Sequence, residues 1–275
     1  MSITTSQQIS KYYTTYGNVD VTFTKEVIRT TGLLTKQVYL KFLGFQWPCI
    51  IYSSSMHSAK ILTNVNQNFT ESLKKTNNLL SLRFSFYQSD KPDPVSFFVT
   101  AKSTGFSQYN QENKSLHFVT LEYTQRPPDV LIEILGELLE ANINSKKRKE
   151  ERIVLTQDAL RKLGIKDKST FLYIQGVPRK CILRDISFSG AKVLVMGVAK
   201  FILNKEATIN IEVNDSKEII RIKGNIIRHE EVQGRKDIAA YAIQFDESNI
   251  PIKYKMMIND YLKQEKIKKQ QKYGV

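Results

Sequence analysis

The sequence predicts a mainly β protein made of two tandem six-stranded antiparallel barrels, each followed by a helix. Three observations lead to this fold class: the chain repeats itself, each copy contains six short runs of strand character, and each copy ends in an amphipathic helix. At 275 residues, the chain is long enough for two domains that each bury their own core.

The repeat appears when the sequence is shifted by 132 residues. Residues 23–62 then align with residues 155–194 without a gap, and 12 of the 40 aligned positions are identical. The identical pairs include the two cysteines of the chain, Cys49 and Cys181. Near the end of each copy the shift falls to 122, so the first copy has about ten more residues in its middle. An ungapped run of this length indicates two copies of one domain.

Each copy begins with a short helix, predicted at 24–32 and 156–164, which a threonine opens and a glycine closes. Runs rich in β-branched and aromatic residues follow, and some of them alternate apolar with polar residues. The predicted strands are 37–43, 47–53, 58–64, 80–87, 95–103 and 115–124 in the first copy, and 169–174, 179–186, 190–196, 206–213, 217–229 and 238–246 in the second.

The last element of each copy is a helix. Residues 127–142 open with proline and aspartate and carry one apolar stripe, while residues 250–275 are amphipathic at first and then rich in lysine and glutamine. A polar, highly charged connector separates the two copies. We therefore expect a first domain over 1–145, a basic linker over 146–152, and a second domain over 153–275.

The net charge of +14 is concentrated in the second half of the chain. Residues 1–145 hold 13 Lys and Arg against 11 Asp and Glu (+2), whereas residues 146–275 hold 28 against 16 (+12). A basic half predicts an anionic partner: a phosphate-bearing ligand, nucleic acid or an acidic membrane surface. Solubility alone is the other explanation of such a charge.

Composition and motifs argue against several other classes of protein. No apolar run approaches the roughly 20 residues of a membrane span, and the first residues lack the pattern of a signal peptide. Two cysteines provide neither a disulfide framework nor metal-ligand spacing, and the three histidines are scattered. Hydrolase, metalloprotease and nucleotide-loop motifs are absent. We expect a cytoplasmic monomer that is not an enzyme and has no metal site and no cofactor.

Two short motifs carry candidate binding chemistry. Arg148 and Arg152 stand four residues apart on the connector, and a guanidinium group donates in a fork that fits phosphate oxygens or the O6/N7 edge of guanine. Taken alone, this pair is more typical of an exposed, charged connector in a chain this basic.

The second motif, residues 185–190, lies between two predicted strands. The carboxylate of Asp185 can accept hydrogen bonds from guanine N1–H and N2–H, and the hydroxyl of Ser187 can add another. Gly190 permits a positive φ and a close approach of the backbone to a ligand. Taken alone, these residue types are also typical of an ordinary β-turn.

Together, RxxxR at 148–152 and DxSxxG at 185–190 resemble the signature of the PilZ family, whose barrels bind cyclic di-GMP. The resemblance implies that Arg148 and Arg152 clasp the phosphates and guanine bases, that Asp185 and Ser187 read a guanine edge, and that Gly190 leaves room for the ligand. Lys147 occupies the position where family members differ in binding one ligand or an intercalated pair, and we expect one. Ser189, inside the turn, is a further candidate. The helix at 156–164 lengthens the usual spacing between the motifs.

The first copy lacks this signature. The positions that match Arg148 and Arg152 are Tyr16 and Asp20, and Ser53 and Ser58 replace Asp185 and Gly190. Of the motif residues, only the counterpart of Ser187, Ser55, is kept. The resemblance therefore implies a degenerate PilZ-like barrel without a ligand site, followed by an intact one.

The function that the resemblance implies is that of a cyclic di-GMP receptor. Because the two arginines lie on the connector, we expect ligand binding to fix the relative pose of the two domains. The alternative is non-specific binding of DNA or RNA by the linker and the lysine-rich tail, with an affinity that the ligand modulates. A protein or nucleic-acid effector of the basic half is compatible with both hypotheses.

Overall fold

The computed structural model describes residues 5–88, 91–110, 115–197, 202–214 and 218–273. The chain divides into two compact units, a first that ends at Leu139 and a second that begins at Glu140. The helix that joins them belongs to both, since its first part lies in one unit and its second part in the other.

The first unit is an antiparallel barrel of six strands. The order is β3-β2-β5-β6-β7-β4, and the pairing of β4 with β3 closes the barrel, while the two-residue β1 pairs with the end of β3. Its elements are α1 (Ser6–Tyr16), β1 (Val21–Thr22), α2 (Lys25–Thr31), β2 (Tyr39–Phe42), β3 (Phe45–Ser54), β4 (Ser58–Asn64), α3 (Gln67–Lys75), β5 (Leu79–Phe86), β6 (Val95–Gln108), β7 (Leu116–Tyr123) and the first part of α4 (Asp129–Lys147).

The second unit repeats this architecture. Its barrel order is β10-β9-β12-β13-β14-β11, closed by the pairing of β11 with β10, and the two-residue β8 pairs with the end of β10. Its elements after α4 are β8 (Ile153–Val154), α5 (Gln157–Leu163), β9 (Ser169–Ile174), β10 (Val177–Ile186), β11 (Gly190–Met196), β12 (Glu206–Glu212), β13 (Ile219–Val232), β14 (Arg235–Phe245) and α6 (Ile252–Tyr273). The predicted fold class, two tandem six-stranded barrels with terminal helices, is confirmed.

The short helix at the start of each barrel forms for the predicted reasons. The hydroxyl of Thr156 accepts a hydrogen bond from the amide of Ala159 at 3.1 Å, and Gly164 ends α5 in a left-handed conformation with φ of 66°. Thr24 and Gly32 cap α2 in the same way. The repeat in the sequence is therefore a repeat of structure at the level of single hydrogen bonds.

The helices differ from the prediction in three places. The sequence did not predict α1, which buries only Ile9 and Tyr12. It also did not predict α3, which occupies part of the extra length of the first copy. The predicted α4 ends at residue 142, whereas the helix continues to Lys147. The extension is stabilised within the second unit, where the side-chain amide Nδ2 of Asn144 donates to Oδ1 of Asn259 of α6 at 2.6 Å.

Both cysteines are free and buried, one in each barrel. Burial raises the pKa of the Cys49 thiol and of the Cys181 thiol to about 12, so the reactive thiolate is scarce at neutral pH. We expect neither cysteine of the folded protein to react with an aromatic disulfide reagent at pH 8, and both to react once urea unfolds the chain. Thiol titration across the urea transition measures this, and rapid native labelling would contradict the burial.

Candidate functional site

Strand β8 brings the two sequence motifs together. It pairs with β10 so that Val154 lies opposite Asp185, and Arg152 immediately precedes this strand. The guanidinium Nη1 of Arg152 donates to Oδ1 of Asp185 at 2.6 Å, with 44% and 17% of the two side chains exposed. Helix α5, which lengthens the sequence between the motifs, follows β8 and therefore does not separate them.

The connector is also attached to the turn through its backbone. The hydroxyl of Ser189 donates to the carbonyl oxygen of Lys149 at 2.9 Å, and the amide of Ser189 donates to the same oxygen at 3.3 Å. The ammonium group of Lys149 in turn lies 2.7 Å from both carboxylate oxygens of Glu247. Sequence reasoning missed Lys149 and Glu247, because exposed charged residues near a barrel carry no pattern that distinguishes this pair.

Arg148 occupies a different environment from Arg152. It follows the last residue of α4, Lys147, which is exposed, and its amide donates to the carbonyl of Asn144 at 2.8 Å. Its guanidinium Nη1 lies 3.9 Å from Glu151. The side chain lines an open cleft of about 330 Å³ together with Glu151, Leu262, Glu265, Lys266 and Lys269. Of the two arginines, therefore, Arg152 is the one in contact with Asp185 in the described structure.

Ser187 is fully buried and shapes the turn between β10 and β11. Its hydroxyl oxygen accepts from the amide of Gly190 at 3.1 Å, and its own amide donates to the carbonyl of Gly190 at 2.8 Å. Its carbonyl accepts from the hydroxyl of Tyr254, a fully buried residue of α6, at 2.7 Å. The hydroxyl that the sequence suggested for guanine recognition is thus engaged inside the turn.

Gly190 is needed for a reason other than the predicted positive φ. Its φ does not lie in the left-handed region, so that expectation is wrong. A Cβ at this position would lie 2.4 Å from the carbonyl oxygen of Ile243 on β14, closer than any real contact. The absence of a side chain allows β11 and β14 to pair at this point.

Alternating charges surround Asp185 on the barrel surface. Lys192, its cross-strand neighbour on β11, contacts Glu230 at 2.5 Å, and Arg228 contacts the same carboxylate at 3.0 Å. The hydrogen bond from Lys192, followed by the charges of Lys192, Arg228 and Arg152, lowers the pKa of Glu230. The surface next to the two motifs therefore offers several cationic groups to an anionic ligand.

The first barrel keeps the turn and loses the charged side chains. The amide of Ser58 donates to the hydroxyl oxygen of Ser55 at 3.0 Å, and the amide of Ser55 donates to the carbonyl of Ser58 at 2.9 Å. These are the two bonds that join Ser187 and Gly190. Ser53 takes the place of Asp185, opposite Thr22 of β1, and is buried.

The hydroxyl of Tyr254 provides a test of the turn. Replacing Tyr254 with phenylalanine removes a buried hydrogen bond to Ser187, so we expect unfolding to require about 1–2 kcal/mol less. Urea denaturation of wild type and variant measures the difference. Tyr261→Phe is the matched control on the same helix, because no hydrogen bond of its hydroxyl occurs among the described residues. An equal effect of the two substitutions would contradict a specific role of the Tyr254 hydroxyl.

The described part of the chain contains no group of three or more His, Cys, Asp or Glu side chains that could hold a metal ion. Within the same residues, no helix is long and apolar enough to cross a membrane.

Comparison with known proteins agrees with this architecture. The model of the PilZN3 domain matches residues 7–142, and the model of the PilZ domain matches residues 146–264. A cyclic di-GMP binding protein of Treponema denticola is 48% identical over 261 residues, which are 95% of this chain and 83% of that protein.

Two solved structures are similar over most of the chain. The crystal structure of PlzA from Borreliella burgdorferi in complex with c-di-GMP shares 26% identity, covering 93% of this chain and 98% of that chain, with a TM-score of 0.43. The crystal structure of YcgR from Escherichia coli in complex with c-di-GMP shares 14% identity, covering 90% and 92%, with a TM-score of 0.30.

Proposed function

Because the chain belongs to the PilZ family, we propose that it is a cytoplasmic receptor for cyclic di-GMP and not an enzyme. The observation that carries the proposal is the contact between Arg152 of the RxxxR motif and Asp185 of the DxSxxG motif. The relative from Treponema denticola, which is named for binding cyclic di-GMP, supports the choice of ligand. The two free, unpaired cysteines agree with a cytoplasmic location.

The proposed contacts divide the motif residues into two groups. Arg148 and Arg152 clasp the phosphates and the guanine bases, and Asp185 accepts from a guanine edge. Ser187 and Gly190 hold the turn that presents Asp185, as their mutual hydrogen bonds suggest. Two further residues have supporting roles. Ser189 anchors the connector, and the exposed Lys147 occupies the position whose side chain determines whether one ligand or an intercalated pair binds.

Ligand binding exchanges existing contacts for new ones. In the described structure Arg152 is bound to Asp185, and Arg148 lies near Glu151, so both guanidinium groups already have anionic neighbours. Each hydrogen bond to a charged group contributes a net free energy of about 1.5–3 kcal/mol, and three or four such bonds outweigh the cost of ordering a few connector residues. The balance corresponds to micromolar or tighter affinity.

Calorimetric titration of the full chain with cyclic di-GMP tests the proposal. We expect saturable binding with one site per chain and a dissociation constant of about 10 μM or below. Titration with GMP is the control, because one guanine and one phosphate satisfy only part of the clasp. An absence of saturable binding at concentrations of about 1 mM would refute the proposed function.

The position of the arginines also predicts an effect on domain arrangement. Arg148 and Arg152 directly follow α4, the helix that joins the two units, so a ligand that rearranges them should fix the relative pose of the domains. Small-angle scattering with and without saturating cyclic di-GMP should show a change in the radius of gyration. Unchanged scattering together with calorimetric binding would remove this part of the proposal and leave the receptor function intact.

A further inference from the structure

The end of helix α6 is a charged surface that the ligand site does not use. Residues 266–273 read KIKKQQKY, with four lysines and no acidic residue. The side chains from Lys266 to Gln271 are all exposed. A helical segment with exposed side chains gains little stability from burial, and an anionic partner would stabilise it in another way.

Two lysines earlier on α6 are paired with acids, whereas two near its end are not. Lys253 contacts Glu218, and Lys263 contacts Glu140. Within the part of the chain that the structure describes, Lys266 and Lys269 have no acidic group within 4.0 Å, although they stand three residues apart on the same helix face. Like charges at this spacing destabilise a helix, and an anionic partner relieves the repulsion.

Other cations converge on the same end of the helix. Lys266 and Lys269 line the cleft that also contains Arg148, and Lys268 lies against Lys162 of α5. Hydrogen bonding to Lys162, followed by its charge, lowers the pKa of Lys268, as expected where ammonium groups crowd one another. The acids close by are already engaged, Glu265 by Lys162 at 2.6 Å and Glu151 by Arg148 at 3.9 Å.

We propose that Lys266, Lys268 and Lys269, on the exposed end of α6, bind the phosphodiester backbone of a nucleic acid without sequence specificity. A backbone with a charge at each phosphate matches a row of lysines on a helix. An anionic membrane fits less well, because a helix that lies in a membrane surface needs an apolar face and Ile267 is the one aliphatic side chain between residues 266 and 271. The proposal does not depend on the binding of cyclic di-GMP.

Fluorescence anisotropy tests the proposal with a labelled 30-base-pair DNA duplex, a labelled RNA of equal length, and the full chain at several salt concentrations. The test variant is Lys266→Gln/Lys268→Gln/Lys269→Gln. The control variant, Lys11→Gln/Lys25→Gln/Lys36→Gln, removes the same charge from exposed positions of the first unit. We expect the wild type to bind with an affinity that falls steeply with salt.

The test variant should bind at least about tenfold more weakly at low salt, with a slope of log K against log salt reduced by about two to three, while the control stays close to wild type. Equal losses in the two variants, or wild-type binding by the test variant, would overturn the proposal. An absence of binding to both nucleic acids at about 50 mM salt would also overturn it. If the protein then floated with phosphatidylserine vesicles, the anionic partner would be a membrane surface. Thermal melting of both variants verifies that they fold.

Discussion

Replacing Arg152 with alanine will weaken the binding of cyclic di-GMP by about 100-fold or more. The substitution removes the guanidinium group that faces Asp185, and with it the two or more charge-assisted hydrogen bonds that we propose it makes to the ligand, each of about 1.5–3 kcal/mol. Stability should change by less than about 1 kcal/mol, because both partners of the ion pair are partly exposed. Calorimetric titration and urea denaturation of the same preparation separate the two effects.

The matched control is Arg161→Ala. Arg161 lies in the same unit, its side chain is 81% exposed, and it pairs with Asp158 at 2.8 Å. This variant loses the same charge and one ion pair, yet it should bind the ligand as the wild type does. An equal loss of affinity in Arg152→Ala and Arg161→Ala would show that the charge of the unit, and not the RxxxR motif, attracts the ligand.

Gly190→Ala is expected to have the largest effect on stability. The added Cβ would lie 2.4 Å from the backbone carbonyl oxygen of Ile243, so β11 and β14 must move apart. Such overpacking typically costs about 1–3 kcal/mol, which lowers the melting temperature of a domain of this size by several degrees. The ligand affinity should fall as well, because the turn that presents Asp185 begins to distort. Differential scanning calorimetry measures the first effect.

Gly105→Ala is the control for this substitution. Gly105 is also a strand glycine, but a Cβ there would have its nearest neighbour, the hydroxyl oxygen of Thr120, at 4.0 Å. We expect the melting temperature of this variant to stay within a few degrees of wild type. If Gly190→Ala melted at the same temperature as Gly105→Ala, the close approach of β14 would not be the reason for a glycine at position 190.

The repeat explains why so much of the fold could be predicted from the sequence. Two copies of one pattern report the same strands twice, and threonine and glycine caps mark both ends of α2 and α5. Helix α1 escaped prediction because its few buried residues, Ile9 and Tyr12, form no clear stripe among serine, threonine and glutamine. Strands β1 and β8 have two residues each, too few for any periodicity, although β8 is the element that positions Arg152.

The candidate site was predictable in its residue types but not in their contacts. The RxxxR and DxSxxG patterns identify Arg152 and Asp185. The structure adds an ion pair between Lys149 and Glu247, which holds the connector against the second barrel. Nothing local in the sequence indicates that Gly190 faces Ile243, because that contact depends on a strand more than fifty residues away. Long-range backbone packing of this kind leaves no pattern in a single sequence.

We propose that one ligand site lies in the second barrel and that the first barrel has none. Hydrogen–deuterium exchange of the full chain, with and without saturating cyclic di-GMP, locates the ligand most directly. We predict slower exchange in peptides that cover 148–152 and 185–190, and no change in those that cover 16–20 and 53–58. Protection of the turn at 53–58, or none at 148–152 and 185–190 while the ligand is bound, would contradict this assignment.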